Sequence, residues 1–326
     1  MNLQPLMGDA SLAEVRAAVD AARAVNLSPC TVLPRETVPT RVEIPLHGVP
    51  DGTIYDLAFP GSFMKAVRDQ LPAEYAARDL VSETVHARLW EHSNPGAHPT
   101  IIAVHGWNMG EQRVSSLVFV PGLLFAQGFN VCLLELPHHG RRAVAGRERS
   151  FPSIDLLFTN LAISQAVSDL RQLRSVLEQR GHTTIGALGV SLGAYISLSW
   201  SVVEKLDFGI FLVPLVSIAD VAWRLLKDRF SESNLLGAGL SKPLLKEVFA
   251  DHSPVRSLPL TDIRRILVVA GRGDQVVPRE QIEVLRRGWP GVEVRWLQGG
   301  HGAPFRKGEA VSIITEFLKK QFSEQV

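Results

Sequence analysis

The chain has 326 residues, 46% of them hydrophobic and 21% charged, so it is globular and long enough to bury a large core without disulfide or metal staples. Its 34 Lys and Arg face 33 Asp and Glu, a net charge of +1, which excludes a domain-scale basic surface for nucleic acid. Two widely spaced cysteines, Cys30 and Cys132, build neither a disulfide framework nor a zinc site.

The N-terminus lacks the apolar run of a signal peptide, and no stretch of about 18 apolar residues follows. The expectation is a soluble cytoplasmic protein with no membrane span. Residues 11–25 carry Leu12, Val15, Ala18, Val19 and Ala22 at helical spacing. Residues 40–59, "TRVEIPLHGVPDGTIYDLAF", read as extended segments broken by turns. From Val81 the rhythm changes. "VSETVHARLW", "HPTIIAVHGW", "GFNVCLLELP", "HTTIGALGVS", "LDFGIFLVPL", "RRILVVAGRGD" and "VEVRWLQGGH" are strand candidates. Helical segments separate most of them, among them "NLAISQAVSDLRQLRSVLEQRG" and "REQIEVLRRGW". Apolar strands alternating with helices predict an α/β fold with a mostly parallel sheet covered on both faces. The expected division is an N-terminal extension, 1–80, packed on a catalytic domain, 81–326. A helix-rich stretch at 217–258 is expected to form a small cap above the strand ends. Trp200 and Trp223 fit an apolar lid or the core equally well. The pairs Arg264-Arg265 and Arg286-Arg287 read as solvated faces.

Ligands bind such sheets at the carboxyl ends of the strands, where this sequence places its polar and glycine-rich punctuation. Gly189-Val190-Ser191-Leu192-Gly193 matches G-x-S-x-G. A strand turning sharply into a helix holds the serine in a strained conformation with Oγ exposed, and neighbouring backbone demands small flanking residues. The competing reading is a helix N-cap serine. A serine nucleophile needs a base that a third group orients. Asp274 in "VVAGRGDQVVP" and His301 in "VRWLQGGHGAPF" both follow apolar runs. Ser, Asp, His is the chain order of the α/β hydrolases. Asp274 also suits a turn. The rivals Asp251, Asp262 and His252 do not occupy the expected strand ends.

An oxyanion needs aimed N–H donors. These are expected from Leu192 and from Trp107, with Asn108 a close second. The loop "LELPHHGRRAVAGRERS" is a possible wall of the pocket through His138, His139 and Arg141, with His105 beside it, although His105 reads first as a structural loop residue. His138 and His139 point apart and hold no common metal. Arg141 and Arg142 suit a carboxylate or phosphate, or pair with acids such as Glu135 and Glu148.

The motifs "VHGW", "ELPHHGRR", "GVSLGAY", "GRGDQVVP" and "GGHGAPF" resemble those of the α/β-hydrolase superfamily. "LPHHGRR", "GVSLGAY" and "LDFGIFLVPLVSIAD" also look like a poorly characterised bacterial group within it. The resemblance implies Ser191 as nucleophile, His301 as base then acid, and Asp274 as its orienting partner. A serine at this position argues against the dehalogenase and epoxide hydrolase branches, whose nucleophile is an aspartate. The expected activity is hydrolysis of a small-molecule carboxylic ester without cofactor or metal. Thioesterase or acyltransferase activity would use the same residues, and amidase or peptidase activity is a more distant alternative.

Overall fold

The computed structural model describes residues 10–25, 42–76, 83–143, 151–153, 155–302 and 308–322. Cys30 and Glu148 lie outside them. In chain order the elements are α1 (Leu12–Ala24), β1 (Val42–Val49), β2 (Gly52–Pro60), α2 (Phe63–Val67), α3 (Ala73–Ala76), β3 (Thr84–His92), β4 (Thr100–Val104), α4 (Gln112–Phe119), α5 (Pro121–Ala126) and β5 (Asn130–Leu134). Then follow α6 (Leu156–Gln179), β6 (Ile185–Val190), α7 (Leu192–Val203), β7 (Gly209–Leu212), α8 (Ile218–Arg229), α9 (Glu232–Gly237), α10 (Lys242–Val248), β8 (Ile266–Gly271), α11 (Arg279–Gly288), β9 (Glu293–Leu297) and α12 (Glu309–Phe322).

Among the described residues nine strands form one sheet in the order β1-β2-β3-β5-β4-β6-β7-β8-β9. β1, β2 and β3 form an antiparallel meander, and β3 joins β5 antiparallel. From β5 to β9 every pairing is parallel. Parallel strands are covered on both faces, which is why β4, β5, β6 and β8 read as unbroken apolar runs. Side chains alternate between two cores. Ile102, Val104, Cys132, Leu134, Ile185, Ala187 and Val268 face one; Ile101, Ala103, Val131, Leu133, Leu188, Val190 and Val269 face the other. The larger core lies under α1, α2, α6, α7, α8, α10 and α11. The smaller lies under α4, α5 and α12.

The long helix α6 starts at an Asp155 cap, whose side chain accepts from Phe158 N–H at 3.0 Å. The capping box of α1, Ser11 with Glu14, satisfies two orphan donors reciprocally. Its buried stripe, Val15, Val19 and Ala22, packs on α6 and α10, and Arg16 donates to Gly239 O at 2.9 Å. The stretch 217–258 supplies α8, α9 and α10. Leu235, Leu240 and Leu245 are fully buried there, so these helices contribute to the core as well as standing between β7 and β8. Trp200 is buried in α7, its indole N–H donating to Glu204 at 3.0 Å, so it belongs to the core. Trp223 is half-buried on α8. Burial pushes the Cys132 thiol well above its ordinary range, as for an inert reduced cysteine.

Candidate active site

The motif "GVSLG" forms the turn between β6 and α7. Ser191 has φ 54° and ψ −112°, a region that costs a non-glycine residue about 1–3 kcal/mol. Its N–H donates to Leu212 O at 2.9 Å, and its carbonyl accepts from Tyr195 N–H at 3.0 Å. It stands at the N-cap position of α7, yet its side chain makes no capping bond. The flanking glycines are required sterically. A Cβ on Gly193 would collide with the carbonyl oxygens of Val104 and His105, and one on Gly189 would come within 2.5 Å of Ala194 Cα. The local sequence therefore builds a tight strand–helix turn that releases the serine hydroxyl.

That hydroxyl donates to His301 Nε2 at 2.9 Å, and His301 Nδ1–H donates to Asp274 Oδ2 at 2.7 Å. Ser191 and Asp274 are buried and His301 half-buried. The Asp274 carboxylate also accepts from Val276 N–H at 2.8 Å and Val277 N–H at 2.9 Å through Oδ1. The two carboxylate oxygens divide their contacts, Oδ1 to the turn after β8 and Oδ2 to the imidazole. The structure does not bring the rivals in. Asp262 caps a 3-10 turn and binds Arg264. His252 is buried, and burial pushes its pKa down to about 3.

The loop after β4 lies against the nucleophile. A Cβ on Gly106 would sit 3.4 Å from Ser191 Cβ. Among the described residues the main-chain N–H groups of Trp107 and Leu192 have no hydrogen-bond partner, and the same is true of Asn108. Asn108 is exposed with φ 59°.

Three expected wall residues have other work. His105 is fully buried; its Nδ1–H donates to Gly106 O at 2.8 Å and its Nε2 accepts from Leu136 N–H at 3.0 Å. Both nitrogens are spent bracing the ends of β4 and β5, and burial drives its pKa to about 3. His139 is buried and donates to Pro137 O at 2.9 Å, and burial lowers its pKa. Arg141 binds Glu135 at 2.8 Å and Asp56 at 3.3 Å, so its guanidinium is occupied and the pairing reading replaces the anion-binding one. His138 remains half-buried at the end of β5.

Sequence reasoning missed two supports. Arg142 is fully buried 2.8 Å from the equally buried Asp169 of α6, in poor hydrogen-bond alignment, and donates to Glu135 O at 2.9 Å. Burial raises the Asp169 carboxyl against the pull of Arg142. Gln281 of α11 accepts from Val216 and Ser217 N–H at 2.9 and 3.0 Å, anchoring the segment after β7 beside the serine. Neither partner is near in sequence, so no local pattern marks them.

At the opposite end of the sheet, ligand-type atoms of Asp51, His92 and His98 lie within 4.8 Å of one another. The two imidazoles are stacked, centroids 3.9 Å apart and planes 12° off parallel. In-plane lone pairs of near-parallel rings do not converge on one ion, so this is a ring stack rather than a coordination sphere.

Comparison with known proteins follows the same lines. Residues 248–320 match the family described as "Alpha/beta hydrolase domain containing 18". An acetyl xylan esterase from Thermoanaerobacterium superposes with a TM-score of 0.58 at 17% identity, covering 99% of both chains. One from Paenibacillus sp. R4 gives 0.57 at 14% identity, over 97% of this chain and 99% of that one. The fold is that of the α/β hydrolases. A cold-adapted esterase from an Arctic intertidal metagenomic library shares the α/β-hydrolase likeness at TM-score 0.53 and 12% identity, over 84% and 96% of the two chains. Two uncharacterized proteins of Mycobacterium tuberculosis, from strains CDC 1551 and H37Rv, are 31% identical over 244 residues. Those matches take in 72% of this chain and 58% of each relative, so the chain spans less than two thirds of the relatives' length. Among the described residues no helix is long and apolar enough to cross a membrane.

Proposed function

We propose that this α/β-hydrolase chain is a cytoplasmic serine esterase acting on small-molecule carboxylic esters. The observation that carries the proposal is the unbroken line of short contacts from the strained Ser191 through His301 to Asp274, at 2.9 and 2.7 Å. In this mechanism Ser191 Oγ attacks the ester carbonyl carbon while its proton passes to His301 Nε2. Asp274 holds the Nδ1–H tautomer and stabilises the imidazolium. The oxyanion accepts from the unpartnered N–H groups of Leu192 and Trp107. Collapse breaks the C–O bond, and His301 returns its proton to the leaving alkoxide oxygen. Water then attacks the acyl-enzyme, loses a proton to His301, and releases the carboxylic acid and free Ser191.

An ester is favoured over a thioester or amide by the esterase names of the fold neighbours. The test is fluorophosphonate labelling together with turnover of short p-nitrophenyl esters by wild type and Ser191→Ala. Labelling and turnover that vanish in the variant support the reading. Turnover that survives in Ser191→Ala overturns it. Partition of the acyl group between water and an added alcohol or thiol separates hydrolysis from transfer.

A further inference from the structure

Backbone strain gathers at one end of the sheet. Among the described residues the non-glycine residues with positive φ include Asn108 (59°), His138 (62°), Ser191 (54°) and Val213 (42°). All four sit just past the C-terminal ends of adjacent strands, in the order β5, β4, β6 and β7. Such conformations persist only where surroundings over-determine them, and they cluster at functional sites. The esterase reading accounts for Ser191 and for Asn108 beside the oxyanion donors. Val213 starts the segment whose Leu215 N–H reaches Ser191 O at 3.4 Å. His138 has no role yet.

Its imidazole lies against the Phe158 ring of α6, centroids 4.3 Å apart, and its buried Nε2 has no partner among the described residues. One strand closer to the serine, Trp107 repeats the pattern: the side chain is buried and its indole Nε1–H has no acceptor among the described residues. Buried indole and imidazole nitrogens normally find partners. The two residues start from one level, because Val104 and Leu134 are paired in register. Their strands stand about 5 and 10 Å from that of Ser191. The loops that carry them touch, Gly110 packing on His139 and Gly140.

The chemistry of the orphans defines what they would hold. Indole N–H only donates. Burial keeps the imidazole neutral, with Arg142 adding to the effect, so with its proton on Nδ1 it offers Nε2 as an acceptor. Among the described residues of this loop both arginines are committed, Arg141 to Glu135 and Asp56 and Arg142 to Asp169, so neither is a free cation for a carboxylate or phosphate. A hydroxyl accepts and donates at once and matches both nitrogens.

We propose that the Trp107 indole and His138 hold a hydroxyl of the substrate and select uncharged, hydroxylated esters. This inference rests on the serine-esterase reading.

The test uses matched pairs of neutral esters, one with a hydroxyl on the acyl part and one with it on the alcohol part, each beside its deoxy analogue. Wild type is expected to favour the hydroxylated member of at least one pair tenfold or more in kcat/KM, since a site built to bond a hydroxyl rejects the analogue lacking it. His138→Phe should bring that ratio close to one, and His138→Gln, which keeps a polar group, should restore part of it. A merely structural role would lower both members of a pair equally and leave the ratio unmoved. Should His138→Phe fail to fold, Trp107→Phe carries the same ratio test. Fluorophosphonate labelling runs alongside. Labelled wild type with a ratio near one on both pairs overturns this inference alone, whereas unlabelled, inactive wild type overturns it together with the esterase reading.

Discussion

The two ends of the parallel strands are built on opposite principles. At the C-terminal end polar groups are left open: the main-chain N–H groups of Trp107, Asn108 and Leu192, the Trp107 indole N–H and ring nitrogens of His86 and His138 lack partners among the described residues, and strained residues line up beside them. At the N-terminal end polar groups are saturated. Arg180, the C-cap of α6, pairs with Glu43 of β1 and Glu91 of β3. Glu91 accepts from His182 at 2.8 Å, and His182 meets Thr100 at 2.6 Å. Asn130 accepts from His92 N–H at 2.8 Å and donates to Pro95 O and His98 O at 3.1 and 2.9 Å. On the proposed reading, a substrate supplies the hydrogen bonds that the first end leaves open. The other closes its network and ties the antiparallel meander to the parallel sheet.

Mutations should separate the two ends. The largest effect is expected at Ser191: Ser191→Ala should lower ester turnover by roughly 10⁴-fold or more while the melting temperature holds or rises, checked by ester kinetics beside thermal unfolding. Asp274→Asn should follow, with a loss near 10⁴-fold. The asparagine oxygen can keep the turn bonds to Val276 and Val277, so a large drop in melting temperature would show that Asp274 is chiefly a turn residue. At the opposite end, Glu91→Ala removes one of the two carboxylates on Arg180 and the acceptor of His182 Nε2. It should cost about 3–5 kcal/mol in denaturant unfolding and leave kcat/KM per folded molecule within about twofold. A catalytic loss as large as that of the triad variants would break the division between ends.

Acid should act through both ends in sequence. His105, His138 and His252 have folded pKa values near 3 because burial disfavours their charged forms, against about 6.5 when unfolded. Below pH 6.5 the unfolded chain binds protons that the folded chain refuses, so stability falls as pH drops from 6.5 toward 3. Glu91 sits near 2, its hydrogen bonds to Arg180 and His182 outweighing burial. Its contribution is complete above its unfolded value and is lost as pH falls from about 4.5 toward 2. Urea midpoints at pH 7.5, 5.5 and 4.0 should fall steadily, and a flat profile between 7.5 and 5.5 would contradict the histidine assignment. The smallest effect is expected at His252, whose Nδ1 is buried without a partner among the described residues. His252→Leu should shallow the acid slope and leave stability at pH 7.5 within about 1.5 kcal/mol.

Much of the candidate site could be read from the sequence because its signals are local. Gly189 and Gly193 mark a close approach of backbone, and Asp274 and His301 each follow an apolar run, so each reports its own strand end. The alternation of apolar runs with helices likewise defined the parallel sheet. Other assignments depended on partners distant in the chain. Arg141 suited either an anion or an acid partner until Glu135 and Asp56 took its guanidinium, and His105, read first as a structural residue, has both nitrogens bonded to Gly106 and Leu136. Asp169 carries no local signal, and only packing places it against Arg142. Which residue types stand at the strand ends, and in what order, follows from the chain alone, because hydrophobic periodicity and turn sterics act over a few residues. Only the tertiary structure decided which polar groups are paired and which are left open, because hydrogen-bond satisfaction is a property of neighbours in space.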